Sequence, residues 1–179
     1  MNKKSIQGFT LIEMLIVIAV ISILAGIVLV GITGFQSGAR DTKRIGDLRG
    51  MQNTLELFYT RCGHYPMDGA GGCGIATGGS GSGTVTWGQA AAGGLAKTLL
   101  DVGIISDLKD LPMDPKAGVS NQYAYAYGDG GYSYVIRASL ENQNAAMNDD
   151  TSEVDGTSFG NLNCEDATPG FFYCIRTSE

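Results

Sequence analysis

The chain has 179 residues, room for one domain and a long appendage, and its 18 acidic against 12 basic side chains leave a net charge of −6. That balance argues against nucleic acid as a partner, because phosphate binding needs a Lys/Arg patch and the chain has none. Glycine is over-used, with 27 in all, and the four cysteines form two close pairs, Cys62 with Cys73 and Cys164 with Cys174, as disulfides in an oxidising compartment do.

The first element is an apolar run from Phe9 to Val30, with Glu13 as its only ionisable side chain. As a helix it would be roughly 33 Å long, enough to cross a bilayer's hydrocarbon core. Lys3 and Lys4 precede it, so this end is expected to stay in the cytoplasm while the rest of the chain is exported. A secretory signal peptide has a shorter apolar core, about 7–15 residues. A plain anchor has the length but no use for Glu13, since an acid at the centre of a span costs on the order of 2.5–3.5 kcal/mol.

The stretch KKSIQGFTLIEMLIVIAVISILAGIVLV resembles the class III leader and N-terminal helix of type IV prepilins and type II secretion pseudopilins, most closely over G-F-T-L-I-E. The resemblance implies that residues 1–8 are a leader, removed by a prepilin peptidase after Gly8. Phe9 then becomes the N-methylated terminus, and Glu13 the fifth residue of the mature chain. It also implies a partner for the acid: the α-ammonium of Phe9 on a neighbouring copy, which sets the register as a filament grows. An isolated charge in a low dielectric is costly and a pair attracts strongly. The partners implied are further copies in a helical filament, the peptidase, and an inner-membrane platform with its assembly ATPase. The location implied is the cytoplasmic membrane, then a periplasmic or cell-surface filament.

Residues 9–61 are expected to form one helix, transmembrane over 9–30 and amphipathic over 40–61. In the second part Ile45, Leu48, Met51, Leu55 and Phe58 recur at steps of three and four on one face, while Arg40, Asp41, Lys43, Arg44, Asp47, Arg49 and Glu56 fall largely elsewhere. Gly26, Gly31, Gly34 and Gly38 lie between the two parts, each costing up to about 1 kcal/mol against alanine in a helix interior. They predict a weak segment that bends or locally unwinds.

Residues 62–179 are read as the globular head, which makes the fold α+β: a long N-terminal helix packed on a small antiparallel sheet, pilin-like. Residues 69–94 are glycine-rich and lack a phosphate-binding motif, so they are read as a long surface loop. A short helix is expected over 95–102, ahead of Pro112 and Pro115. QYAYAYGDGGYSYVIRASLE then reads as a hairpin turning at GDGG, with Tyr123, Tyr125 and Tyr127 alternating before it and Tyr132, Tyr134 and Ile136 after. FFYCIRT adds a third strand, so the sheet is expected within 122–176. The order LP-x-DP, Y-x-Y, then YSYVIRA-x-LE is similar to the major pseudopilin branch of the same family.

Cys62 and His64 are a weak thiol–imidazole pair with no third member, and the spacing favours Cys62–Cys73 and Cys164–Cys174 bonds over other arrangements. His64 is expected on the surface or in a loop. The acidic run holding Asp149, Asp150, Glu153 and Asp155 offers the hard oxygen ligands that calcium takes, though without EF-hand spacing. Major pseudopilins carry calcium in their C-terminal loop, and the resemblance strengthens that expectation. Otherwise no cofactor and no enzymatic activity are expected. The function read from the sequence is a filament subunit of type II protein secretion. The alternatives are a surface pilus subunit for adhesion, motility or DNA uptake and, in a different class, a membrane-anchored extracellular enzyme or binding module.

Overall fold

A computed structural model describes residues 9–68, 72–74, 82–88, 94–116, 123–149, 159–164 and 170–177, with only the backbone of 28–33 and 148–149. Two compact units divide the chain, Met1–Ser37 and Gly38–Glu179.

Helix α1 spans Leu11–Cys62. It is unbroken through Gly26, Gly31, Gly34 and Gly38, so the local unwinding expected there does not occur. Glycine lowers helix propensity yet keeps its N–H for the ladder, whereas the proline that would remove a donor is absent. In the first unit every described side chain from Phe9 to Ile27 is exposed, among them Leu11, Ile12, Leu15, Ile16, Ile18 and Ile21. Among the described residues no helix is long and apolar enough to cross a membrane; the described apolar side chains stop at Ile27, short of the Val30 boundary.

The second unit is a helix laid on a four-stranded antiparallel sheet in the order β1-β2-β3-β4, with β1 at Gly83–Val85, β2 at Tyr123–Gly128, β3 at Ser133–Leu140 and β4 at Phe171–Arg176. Leu48, Met51, Leu55 and Phe58 of α1 are buried in one cluster with Tyr123, Tyr125, Tyr134, Ile136 and Tyr173 of the sheet. Each such aliphatic or phenyl side chain contributes about 1.5–3 kcal/mol relative to exposure. A smaller cluster, Ala126, Val135 and Cys174 with Phe159, Leu162 and Cys164, covers the other face. Strand β3 is therefore buried on both sides at its centre, which explains why Tyr134, Val135 and Ile136 read as a continuous apolar run rather than an alternation.

The hairpin turns where expected, with Asp129, Gly130 and Gly131 all at positive φ, the region the GDGG turn requires. Tyr132 lies before β3 and is exposed, so it is not part of the return strand as expected. Helix α2 spans Leu95–Asp101 and buries Leu95, Ala96, Thr98 and Leu99. The glycine-rich stretch is not only a loop: GTV within it forms edge strand β1, with Gly83 opposite Tyr127 and Val85 opposite Tyr125. Trp87 follows it into the core, donates its indole N–H to the Pro112 carbonyl at 2.9 Å and packs on Tyr123. Val85 and Trp87 at alternate positions, interleaved with Thr84 and Thr86, outweigh the glycines around them.

Candidate functional site

The first candidate site is the entry of α1. Phe9 is exposed and precedes the helix, and Gly8 lies outside the described residues. Glu13 is not left without a partner. Its Oε2 accepts from the Thr10 backbone N–H at 2.7 Å and from the Thr10 hydroxyl at 2.6 Å, while Thr10 Oγ1 accepts from the Glu13 N–H at 3.4 Å. Threonine and a glutamate three residues later form a reciprocal capping box that satisfies orphan donors at the helix start. The signal for this cap is T-L-I-E, a threonine with a glutamate three residues later.

The second feature is a buried charge cluster at the head's end of α1. Arg44 is 0% exposed and spends its whole guanidinium on carboxylates. Nε and Nη2 grip Asp114 at 2.7 and 2.9 Å, and Nη1 reaches Asp41 at 2.7 Å and Glu141 at 3.0 Å. Asp41 in turn accepts the backbone N–H groups of Glu141 and Asn142 and the Asn142 amide at 2.9 to 3.0 Å. Arg40 holds Glu141 in a second fork at 2.6 and 2.7 Å, and Lys116 lies 3.5 Å from the same carboxylate. The helix, the Pro112–Lys116 segment and the end of β3 are thus tied at one point.

The electrostatics follow from that geometry. The Arg40 hydrogen bonds, helped by Arg44, pull the Glu141 carboxyl down to about 2. Burial alone would raise Asp114, but the Arg44 fork and the Lys116 amide outweigh it and hold this carboxyl below its ordinary value. Asp41 and Arg44 fall outside the apolar stripe of the helix, yet the structure buries both. The periodicity of apolar residues does not register a charged pair whose partners lie far along the chain. The available signals were Asp114 in LP-x-DP and Glu141 in A-x-LE.

Cys62 is bonded to Cys73 and Cys164 to Cys174, so no cysteine carries a free thiol and the Cys62–His64 nucleophile is removed. His64 is buried rather than on the surface, with its ring nitrogens 2.9 Å from the Tyr65 carbonyl and 3.2 Å from that of Cys73, and its ring edge-on to Phe58. The disulfide draws the chain back over the end of α1 and covers the imidazole. Asp150, Glu153, Asp155 and the side chain of Asp149 lie outside the described residues, and among those described no group of acids, histidines or cysteines is placed to hold a metal.

The family model for the prokaryotic N-terminal methylation motif matches residues 3–29, which cover the Gly8–Phe9 junction and the capped entry of α1. The N-terminal segment of this chain therefore carries a prokaryotic N-terminal methylation motif. Its curated relatives include the type II secretion system core protein G of Escherichia coli (strain K12), 32% identical over 65 residues that make up 36% of this chain and 45% of that protein. Core protein G of Aeromonas hydrophila is 32% identical over 66 residues, 37% of this chain and 46% of that one. The chain spans less than half the length of these relatives. No solved structure matches it.

Proposed function

We propose that this pilin-like chain is a structural subunit of a type II secretion pseudopilus. It enters the cytoplasmic membrane through Phe9–Val30, is cleaved after Gly8 and N-methylated on Phe9, and polymerises through α1 with its head exported. The observation that carries the reading is the methylation motif over residues 3–29, joined directly to a helix whose described apolar side chains from Leu11 to Ile27 are all exposed. An uncovered apolar face of that extent needs either lipid or other copies of itself to cover it. The likeness to core protein G supports secretion as the setting. Motor, platform and peptidase are separate proteins in this reading, and the subunit's work is mechanical rather than catalytic.

Glu13 sets the register. Cleavage creates an α-ammonium on Phe9, and the carboxylate held by Thr10 in a single chain becomes the counter-charge for the amine of the next copy. The intact mass of chain taken from a membrane fraction tests the whole proposal. A chain beginning at Phe9 and carrying one added methyl is expected, whereas one still beginning at Met1 overturns it. A structural calcium ion on Asp149, Asp150, Glu153 and Asp155 is the second part of the proposal, and it rests on the chemistry of those residues and the likeness to major pseudopilins. Chelation should lower the melting temperature of the head; an unchanged melting curve removes the ion.

A further inference from the structure

In the head, α1 lies over the sheet with a hollow on each flank. On one side Arg49, Gln52 and Asn53 of α1 and Arg176 of β4 line a hollow of about 380 Å³. On the other, Gly46, Asp47 and Gly50 of α1 and Asp110 beyond it line a hollow of about 300 Å³. At about 100° per residue, Asp47 and Arg49 point to nearly opposite sides of the helix, so the two hollows are separate. Their charges are opposite as well. Among the described residues the charged side chains lining the first are both arginines, and those lining the second are both aspartates. Both arginines are exposed, and Arg49 Nε–H donates to the Tyr173 hydroxyl at 3.4 Å.

The acidic hollow is shaped for a long cationic side chain. Gly46 and Gly50 are about one helical turn apart, and among the described residues a Cβ added to either meets no atom within 4 Å. Glycine weakens a helix relative to alanine, and no packing within the described head calls for it here. The room it leaves is open to something outside the chain. The carboxylates beside that room are held in place. Asp47 Oδ2 accepts the Tyr123 hydroxyl at 2.7 Å, and Asp110 Oδ2 accepts the Ser106 and Asp107 backbone N–H groups at 2.9 Å. A carboxylate accepts at both oxygens, so each aspartate so oriented still serves a cation. Lys43 stands 3.8 Å from Asp47, beyond hydrogen-bond distance and outside the lining of the hollow. Ile105, Leu111 and Pro112 add an apolar wall, along which the stem of an arginine can lie while its fork meets the acids.

We infer that the two hollows are the two halves of a side-by-side contact between heads, in which the acidic hollow of one copy receives Arg49 and Arg176 of a second copy. Charge complementarity selects that occupant, because every copy carries the matching arginines on its other flank. The contact is heterologous: each copy gives its arginines to one neighbour and its aspartates to another, so it repeats from copy to copy instead of closing on a pair. The inference rests on the filament reading, which sets heads of identical copies side by side.

The test uses the full chain in a host that assembles it. In one arm Gly50→Leu fills the acidic hollow. Its melting temperature in detergent should not fall, since the added side chain meets open space, whereas filament yield should fall about tenfold or more because an occupied interface is overpacked. Undiminished yield overturns the contact, and so does a lower melting temperature, which would mean that the hollow is already filled within one chain. In the other arm Arg49→Lys and Arg176→Lys keep the charge and supply amines, and a zero-length carbodiimide is applied to filaments grown from a mixture of isotope-labelled and unlabelled copies. Cross-links from either amine to Asp47 or Asp110 between labelled and unlabelled chains support the contact. Cross-links confined to one chain, cross-links to other acids only, or none at all overturn it while leaving the filament intact. If the unaltered chain forms no filament, the filament reading itself falls and this inference falls with it.

Discussion

At the scale of single residues, Arg44 is the position on which the head depends most. Among the described residues its guanidinium is the only cation fully inside the charge cluster, and removing it leaves Asp41 and Asp114 buried without their partner. Breaking a buried pair from one side costs about 3–5 kcal/mol, far more than an exposed ion pair is worth. Arg44→Met is therefore expected to lower the unfolding free energy of the full chain in detergent, read from urea denaturation, by an amount in that range, with an unchanged urea midpoint as the contrary result. The same cluster sets an acid limit. Glu141 and Asp114 both have carboxyls held below their ordinary values when folded, so their contribution is fully present above the unfolded value near 4. It is lost as pH falls from there toward 2. Stability should stay flat from pH 7 to about 5 and then drop, and Arg44→Met should flatten that drop. Arg40 and Lys116 guard the more open side of Glu141, where solvent weakens each contact.

At the scale of elements, the start of α1 has two explanations that one substitution separates. Glu13 caps the helix through Thr10, and in the proposed function it also supplies a charge to the next copy. Glutamine reaches the same N–H and hydroxyl without carrying charge, and it serves in capping boxes as glutamate does. Glu13→Gln should keep the helix and its insertion and lose filament assembly. Normal filaments from that variant would leave the cap as the residue's whole purpose. The sheet presents a different element-scale lesson. Three buried tyrosines find acceptors for their hydroxyls: Tyr123 reaches Asp47 at 2.7 Å, Tyr125 the Pro66 carbonyl at 2.7 Å and Tyr134 Glu56 at 3.3 Å. The alternating tyrosines were legible as strand packing, whereas their acceptors on α1 and the following turn were not. An acceptor more than 70 residues away leaves no local pattern.

At the scale of the whole molecule, the two compact units have opposite surfaces. The unit Met1–Ser37 exposes apolar side chains over its described length, and the unit Gly38–Glu179 buries most of its own. The second has a continuous core, both disulfides and the Arg44 cluster within its bounds. A chain beginning at Gly38 is expected to stay in solution without detergent, to sediment as a single species and to titrate with no free thiol. Aggregation of that chain would mean that the first unit is needed to complete the fold. Each disulfide closes a loop of about a dozen residues, which contributes roughly 3 kcal/mol by restricting the unfolded chain. That matters most for a head with long glycine-rich connections.

The sequence by itself determined the local features: a methylation motif over residues 3–29, an apolar helix turning amphipathic, a hairpin at GDGG and two cysteine pairs close enough to bond. Each rests on spacing within a dozen or so residues, where periodicity, turn chemistry and short loop closure act. Only the tertiary structure decided which charges are inside. It buried Arg44 among acids from the helix, the Pro112–Lys116 segment and the end of β3, drew a strand out of a glycine-rich stretch, and covered His64 with a disulfide loop. The reason is that burial of a charge is settled by partners brought together in space, and a chain's local pattern carries no record of them.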